Sequence, residues 1–108
     1  MRYSKELLKG STPMLVLCVL KRSDQYGYRI IRELEAASEQ AFHMTEGTLY
    51  PILHALEKEK LLESYWQEFD GRNRKYYHLT RKGLRALEAK KEEWESFSHA
   101  VKKVLNYA

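Results

Sequence analysis

The spacing of apolar residues changes abruptly after Lys60, and this change is the strongest constraint on the fold. From Thr45 to Lys60 the apolar residues recur at offsets of 3, 4 and 7, as on one face of a helix; they are Leu49, Ile52, Leu53 and Leu56. From Leu62 to Gln67 the pattern becomes strand-like, with alternating sides and many β-forming residues. A helix followed at once by a strand predicts a mixed unit in which the helix buries one face.

Two or three helical segments precede this stretch, and a second strand and a long helix follow it. Pro13 is well placed to start a helix, and the apolar run behind it predicts a central position in the core. The predicted elements are a helical turn at residues 4–9 ended by Gly10, a helix at about 12–21, a helix at about 25–38 capped by Ser23 or Asp24, the helix at 45–60, a two-stranded hairpin at about 62–67 and 75–79, and a last helix from Thr80 to about residue 106.

The order of three helices and a hairpin is that of a winged helix-turn-helix. In that fold the third helix enters the major groove of DNA, and the hairpin tip, or wing, touches the backbone or the minor groove. We therefore predict a mainly α chain with a small β-hairpin, followed by a long C-terminal dimerisation helix. The predicted division is a DNA-binding domain at residues 1–79 and the dimerisation helix at residues 80–108, packed as one compact unit, which suits a chain of 108 residues.

Positive charge is concentrated on the hairpin tip and the start of the last helix. Between Asp70 and Arg85 there are six positive residues and one negative, a surplus of +5 against a net charge of +4 for the whole chain. This is where a wing meets phosphates, and the candidate contacts there are Arg72, Arg74 and Lys75. Because a solvated loop can carry the same charges, the pattern favours DNA binding without excluding an ordinary surface.

The helix at residues 45–60 has a polar face opposite its apolar one. Thr45 can cap its first turn, which leaves free N–H groups at Gly47 and Thr48 to attract a phosphate. Glutamates offset the lysines of this helix, so we expect polar side chains and close backbone approach, rather than an arginine fork, to read the bases. The candidate DNA-binding residues here are Thr45, Gly47, Thr48, Tyr50, Pro51, His54 and Lys58.

The last helix carries more apolar surface than so small a domain can cover. Its apolar residues form a broken coiled-coil seam that is interrupted by Lys90 and Lys91. Pairing with a second copy of the same helix is the simplest way to bury that seam. The candidate dimer contacts are Leu87, Trp94, Phe97, Val101, Val104 and Leu105.

The chain has no pattern typical of an enzyme. His43, His54, His78 and His99 lack partners at a recognised metal spacing, and no glycine-rich phosphate loop or nucleophile motif is present. We therefore expect no catalytic residue, no metal and no cofactor. Cys18 lies in an apolar run and is interpreted as a buried thiol, and that run is too short to span a bilayer. A cytoplasmic protein without a membrane partner is expected.

A series of short motifs extends along nearly the whole chain. They are Leu7-Leu8-Lys9-Gly10, Tyr26-Gly27-Tyr28, Glu46 to Leu53, Leu56-Glu57-Lys58, Leu62 to Trp66, Arg74 to Gly83, and Trp94-Glu95-Ser96-Phe97. In this order and spacing they resemble the small subfamily of the PadR family, which are bacterial winged-helix transcriptional regulators. The resemblance implies a homodimer, joined by the last helix and the N-terminal segment at Leu7 and Leu8, that represses from a pseudo-palindromic operator in double-stranded DNA. It also implies that Thr48, Tyr50 and Pro51 meet the groove or its phosphates.

Trp94 has two interpretations within this resemblance. In some small members a tryptophan at this place lines an apolar slot across the dimer, where planar hydrophobic compounds stack as inducers. Alternatively, Trp94 and Phe97 simply pack in the interface, with Lys90 and Lys91 disfavouring a cationic ligand. A winged-helix module for protein contacts, without an inducer, is the alternative function, and the positive charge of the hairpin argues against it.

Overall fold

The computed structural model describes residues 3–108, in which four helices and three strands form the fold. The elements are α1 (Lys5–Arg22), β1 (Gln25–Tyr26), α2 (Gly27–Ala37), α3 (Glu46–Lys58), β2 (Leu62–Phe69), β3 (Arg72–Leu79) and α4 (Arg81–Leu105). The predicted mainly α architecture, with a hairpin and a long last helix, is confirmed. The first two residues of the predicted 1–79 domain lie outside the described residues, and the division at residue 80 stays a prediction.

α1 is one continuous helix rather than a turn followed by a shorter helix. Its N-cap is Ser4, whose hydroxyl accepts a hydrogen bond from the backbone N–H of Leu7 at 3.3 Å. The prediction that Gly10 ends a first turn is wrong, because a helical glycine costs only about 1 kcal/mol relative to alanine. Pro13 also lies inside α1.

The buried side of α1 consists of Val16, Leu17 and Leu20. Successive helical residues are about 100° apart, which turns Cys18 away from these three side chains. Cys18 is exposed, so the prediction of a buried thiol is wrong. An apolar run does not by itself place every member in the core, because only one side of the helix faces α2, α3 and α4.

The sheet has a third strand that the sequence pattern did not predict. Gln25 and Tyr26 form β1, which pairs antiparallel with β3 through Tyr77 and Tyr76, in the strand order β1-β3-β2. α2 therefore begins at Gly27, with Tyr26 as its N-cap. The predicted start near residue 25 with a cap from Ser23 or Asp24 is wrong, because these residues lead into the sheet instead.

β2 and β3 form the wing through a two-residue turn at Asp70 and Gly71. Both turn residues have positive φ, 54° and 76°, which is the type I′ geometry that Asp-Gly favours. The register pairs Phe69 with Arg72 at the tip and Leu62 with Leu79 at the base. Leu62 is buried whereas Phe69 is exposed, so the wing extends from the core into solvent.

The core lies where α1, α2, α3 and the base of the wing meet. α3 contributes its predicted apolar face through the buried side chains of Leu49, Leu53 and Leu56, with Ile52 partly buried at the edge. Tyr77 of β3 and Leu87 of α4 complete this core. The buried face of α3 fixes the direction in which its polar face points, and this sets up the candidate site.

Candidate nucleic-acid interface

The first turn of α3 is solvent-exposed and capped as predicted. The Thr45 hydroxyl accepts a hydrogen bond from the backbone N–H of Thr48 at 3.3 Å. Glu46, Gly47 and Thr48 are all exposed. Pro51 is exposed inside the helix, and because it has no N–H it cannot bond the carbonyl four residues earlier. Because the N–H of Thr48 is used in this cap, the prediction that it is free to bind a phosphate is wrong. This end of α3 offers the backbone of Gly47 and small polar side chains to a partner.

Tyr50 is held in place by the start of α2. A Cβ atom on Gly27 would lie 2.6 Å from the Tyr50 hydroxyl oxygen and 3.0 Å from Cζ of the same ring, so a larger residue at this position would displace the Tyr50 side chain. The Tyr50 ring also lies 6.3 Å from the ring of His54, centroid to centroid. Tyr50 is half-buried while His54 and Lys58 are exposed. The end of the Tyr50 ring therefore lies directly against the start of α2.

The wing charges lie on different sides of β3. Arg72 is exposed beside the turn. The guanidinium of Arg74 lies 4.3 Å from the ring centroid of Tyr26, and the ammonium of Lys75 lies 5.7 Å from the ring centroid of Tyr77. Stacking on aromatic rings restricts these long side chains without neutralising them. Positive charge is therefore presented at defined places along the wing.

A groove of about 350 Å³ separates α3 from the wing. It brings together four of the predicted DNA-binding residues: Tyr50, His54, Arg74 and Lys75. The other predicted residues lie outside it; they are Thr45, Gly47, Thr48, Pro51, Lys58 and Arg72. The groove is also lined by residues that the sequence analysis did not single out as candidates for binding: Tyr26, Gly27, Tyr28, Glu46, Trp66, Asn73 and Tyr77. The sequence signal that could have identified Trp66 is an aromatic residue on a predicted strand of the wing.

Asp24 connects the segment after α1 to the wing. The Tyr65 hydroxyl donates to one carboxylate oxygen of Asp24 at 2.6 Å, and Nδ1 of His78 lies 2.8 Å from the other. Burial alone would raise the pKa of the Asp24 carboxyl, but the hydrogen bonds from Tyr65 and His78, together with the charge of His78, lower it overall. The hydrogen bond to Asp24 raises the pKa of Tyr65 to about 12. The base of the wing is thereby tied to the end of α1.

Replacing Asp24 with asparagine should lower the free energy of unfolding at neutral pH by about 0.5–1 kcal/mol, a small loss because the network is partly exposed. The folded-state pKa of Asp24 is lowered, so its contribution is present above the ordinary pKa near 3.8 and is lost as pH falls further. The difference between the two proteins should therefore shrink in acid, as measured by urea unfolding between pH 3 and 7. Asp70→Asn in the turn is the matched control. If Asp24→Asn lowers the free energy of unfolding by the same amount at pH 3 and at pH 7, this account is contradicted.

α4 is buried only over its first two turns. Leu87 has no exposed surface, so the prediction that it contacts a second copy is wrong: its side chain is enclosed by its own protomer. Trp94 is 50% exposed, Phe97 66% and Val104 72%, and Val101 and Leu105 are exposed as well. Leu7 of α1 is exposed and Leu8 half-buried. Trp94 and Val101 follow Leu87 at seven-residue intervals, so the stripe that faces the core at Leu87 continues uncovered beyond it.

Comparison with known proteins agrees with this arrangement. A family model described as "Transcriptional regulator PadR-like family" matches residues 16–89, well over half of the chain. The chain belongs to the PadR-like family of transcriptional regulators. The predicted family is thus confirmed, and it is a family of transcriptional regulators rather than of enzymes.

Solved PadR-like structures share the whole fold. A PadR family regulator from Eggerthella lenta is 35% identical, with a TM-score of 0.85 over 95% of this chain and 88% of its own. A PadR-like regulator from Bacillus cereus is 33% identical, with a TM-score of 0.83 over 96% of this chain and all of its own. The transcriptional regulator Rv3488 of Mycobacterium tuberculosis is 30% identical over 97 residues, which is 90% of this chain and 88% of that protein.

Between residues 3 and 108, no helix combines the length and the apolar character needed to cross a membrane.

Proposed function

We propose that this PadR-like regulator binds a pseudo-palindromic operator in double-stranded DNA as a homodimer and represses transcription from it. The observation that carries the proposal is the groove that α3 and the basic wing share. Tyr50 and His54 on one side and Arg74 and Lys75 on the other line a single concave surface. A recognition helix and a wing in this relation suit a major groove and its adjoining backbone.

The two sides of this surface have different roles in the proposal. α3 carries few positive charges, so its exposed Thr48, Gly47 and His54 read base edges and position the protein. The wing supplies most of the attraction to phosphate through Arg72, Arg74 and Lys75. A regulator that acts on the cell's own DNA in this way works in the cytoplasm.

The uncovered stripe on α4 supports the homodimer. A helix of 25 residues is about 37 Å long, and its second half extends past the domain. Pairing two such helices buries Trp94, Phe97, Val101 and Val104 against their symmetry mates and holds two copies of α3 on one face of the DNA. Repression follows because an occupied operator excludes other proteins. Trp94 and Phe97 are open to solvent in one protomer, so the slot for a planar inducer requires the second copy and stays a prediction from the family resemblance.

The charge of the wing provides the direct test. Arg72→Ala with Lys75→Ala should weaken binding to the DNA upstream of the regulator's own gene by about 100-fold at physiological salt, because each dimer loses four phosphate contacts. The slope of log affinity against log salt should fall by roughly three to four. Fluorescence anisotropy at several salt concentrations measures both quantities.

The matched control removes two charges from the far end of α4, Lys102→Ala with Lys103→Ala, and should leave both quantities almost unchanged. If the wing variant binds as tightly as the parent, DNA recognition does not use this surface. If neither the parent nor the wing variant binds the DNA, the alternative function as a protein-interaction module gains support.

A further inference from the structure

The groove between α3 and the wing has an inner end at the first turn of α2. Tyr26, Gly27 and Tyr28, the N-cap and the first two helical residues, all line it. Ser4, Thr45 and Thr80 cap α1, α3 and α4 with their side chains, whereas Tyr26 provides no side-chain cap for α2. No acidic residue lies in the first turn of α2. The N–H groups there remain available to an anion.

Tyr77 gives independent evidence that this end of the groove receives a ligand. Its side chain is only 1% exposed, yet its hydroxyl has no hydrogen-bond partner among the described residues. The Nε atom of Arg74 is likewise buried without a partner. Both residues line the same groove. Buried donors are nearly always paired in folded proteins, by protein atoms or by ordered water, so these two donors are positioned to pair with an acceptor that enters the groove.

The remaining charges of the groove fit a single phosphate. Arg74 and Lys75 supply two positive charges, and the ring of Tyr26 holds the Arg74 guanidinium at 4.3 Å. Glu46 also lines the groove and opposes them with one negative charge. Because Gly27 has no side chain, the Tyr50 hydroxyl can lie against the start of α2 and form a further wall. The net charge of the groove is positive, and its donors come from three separate elements.

We propose that this inner end is a phosphate-binding site, in which Lys75, the Tyr77 hydroxyl and the first N–H groups of α2 hold one phosphate group, and Arg74 adds its positive charge from the other side of β3, over the ring of Tyr26. The inference rests on the proposed DNA-binding function and deepens it, because a backbone phosphate of the operator is the first source of that group. A free phosphate-bearing metabolite has the same chemistry and is the second source. A phosphate bound here joins α2, α3 and the wing through one anion.

Tyr77→Phe tests the site by removing a single oxygen atom. Affinity for the upstream DNA should fall about tenfold, since a hydrogen bond to a charged group is lost. The thermal midpoint of the free protein should stay the same or rise, because an unpaired buried hydroxyl is removed. A merely structural tyrosine would not show these opposite responses. Tyr107→Phe, the same change at a tyrosine that is 91% exposed beyond the end of α4, should alter neither measurement. If the parent binds the DNA and Tyr77→Phe binds it equally well, the operator backbone is ruled out as the source of the phosphate.

Two further arms distinguish the source of the phosphate. In amide NMR spectra of the full chain, millimolar inorganic phosphate should shift the Gly27 and Tyr28 resonances, and Glu46→Gln should strengthen that response. On the DNA side, replacing one backbone phosphate of the operator with a methylphosphonate should abolish the difference in DNA affinity between the parent and Tyr77→Phe. The position that has this effect identifies the phosphate that the site binds. If phosphate shifts the amides but no DNA binds, the site stands with a free metabolite as ligand and the proposed function fails. If phosphate leaves both amides unchanged and no methylphosphonate position has this effect, the site is refuted.

Discussion

Gly83→Ala should lower the free energy of unfolding by about 3 kcal/mol, a large part of the 5–15 kcal/mol typical of a domain. Gly83 is buried in the first turn of α4, where an added Cβ would collide with the carbonyl oxygen of Leu61 and come within 2.7 Å of Cδ1 of Leu79. The Leu61 carbonyl cannot move away easily, because it accepts hydrogen bonds from the backbone N–H of Thr80 at 3.1 Å and from its hydroxyl at 3.0 Å. The thermal midpoint, followed by circular dichroism, should fall by roughly 10–20 °C.

Gly10→Ala is the matched control, since it is the same change in another helix. A Cβ at Gly10 would meet no atom within 4 Å, so alanine should stabilise α1 by about 0.5–1 kcal/mol. Both variants and the parent should be compared at one protein concentration, because the proposed dimerisation would contribute to apparent stability. If Gly83→Ala proves as stable as Gly10→Ala, the close approach of α4 to Leu61 is not a feature of the folded protein.

Phe97→Glu with Val104→Glu should convert the proposed dimer into monomers at micromolar concentration. Both side chains are mostly exposed in one protomer and lie on the stripe assigned to the second copy. Burying four new carboxylates in an apolar seam costs several kcal/mol, which exceeds the free energy that such a short seam supplies. DNA affinity should fall by about 100-fold or more, because two half-sites no longer bind as one unit. Analytical ultracentrifugation and anisotropy measure the two effects separately.

Ser96→Glu with His99→Glu adds the same number of glutamates on the opposite side of α4. This control should remain dimeric and keep nearly all of its DNA affinity. A Phe97 and Val104 variant that sediments as a dimer would show that the protomers associate through another surface. A monomeric variant with unchanged affinity would instead show that DNA binding does not depend on association.

The parts of the fold that local pattern controls were predictable from sequence. α3 follows from an apolar stripe repeated over three turns and a threonine cap, and the wing follows from alternation around Asp70 and Gly71. β1 was missed because two residues carry no period, and Gln25 and Tyr26 become a strand only through pairing some 50 residues along the chain. Cys18 was wrongly predicted to be buried, and Leu87 was wrongly predicted to contact a second copy. Periodicity identifies an apolar stripe but does not say which part of it the protomer itself covers.

The candidate site was predictable only in part, for the same physical reason. Composition and spacing drew attention to the exposed charges of the wing and the polar face of α3. Tyr77 appeared in sequence as one of several strand tyrosines, and its unpaired hydroxyl is a property of the packed structure. The fit between Gly27 and Tyr50 joins α2 to α3 across residues that are not adjacent in the chain. Such contacts depend on tertiary packing, which no local pattern encodes.

The tight junction at Gly83 makes α4 a lever arm for the whole DNA-binding unit. Its first turn is fastened to Leu61, the residue directly before β2 and three residues after the end of α3. A tilt of about 5° at this pivot displaces the far end of a 37 Å helix by roughly 3 Å, and conversely a small displacement at that end rotates α3 and the wing together. In the proposed dimer, any event that repacks Trp94 would therefore change the angle between the two copies of α3 while leaving the surface of each copy intact.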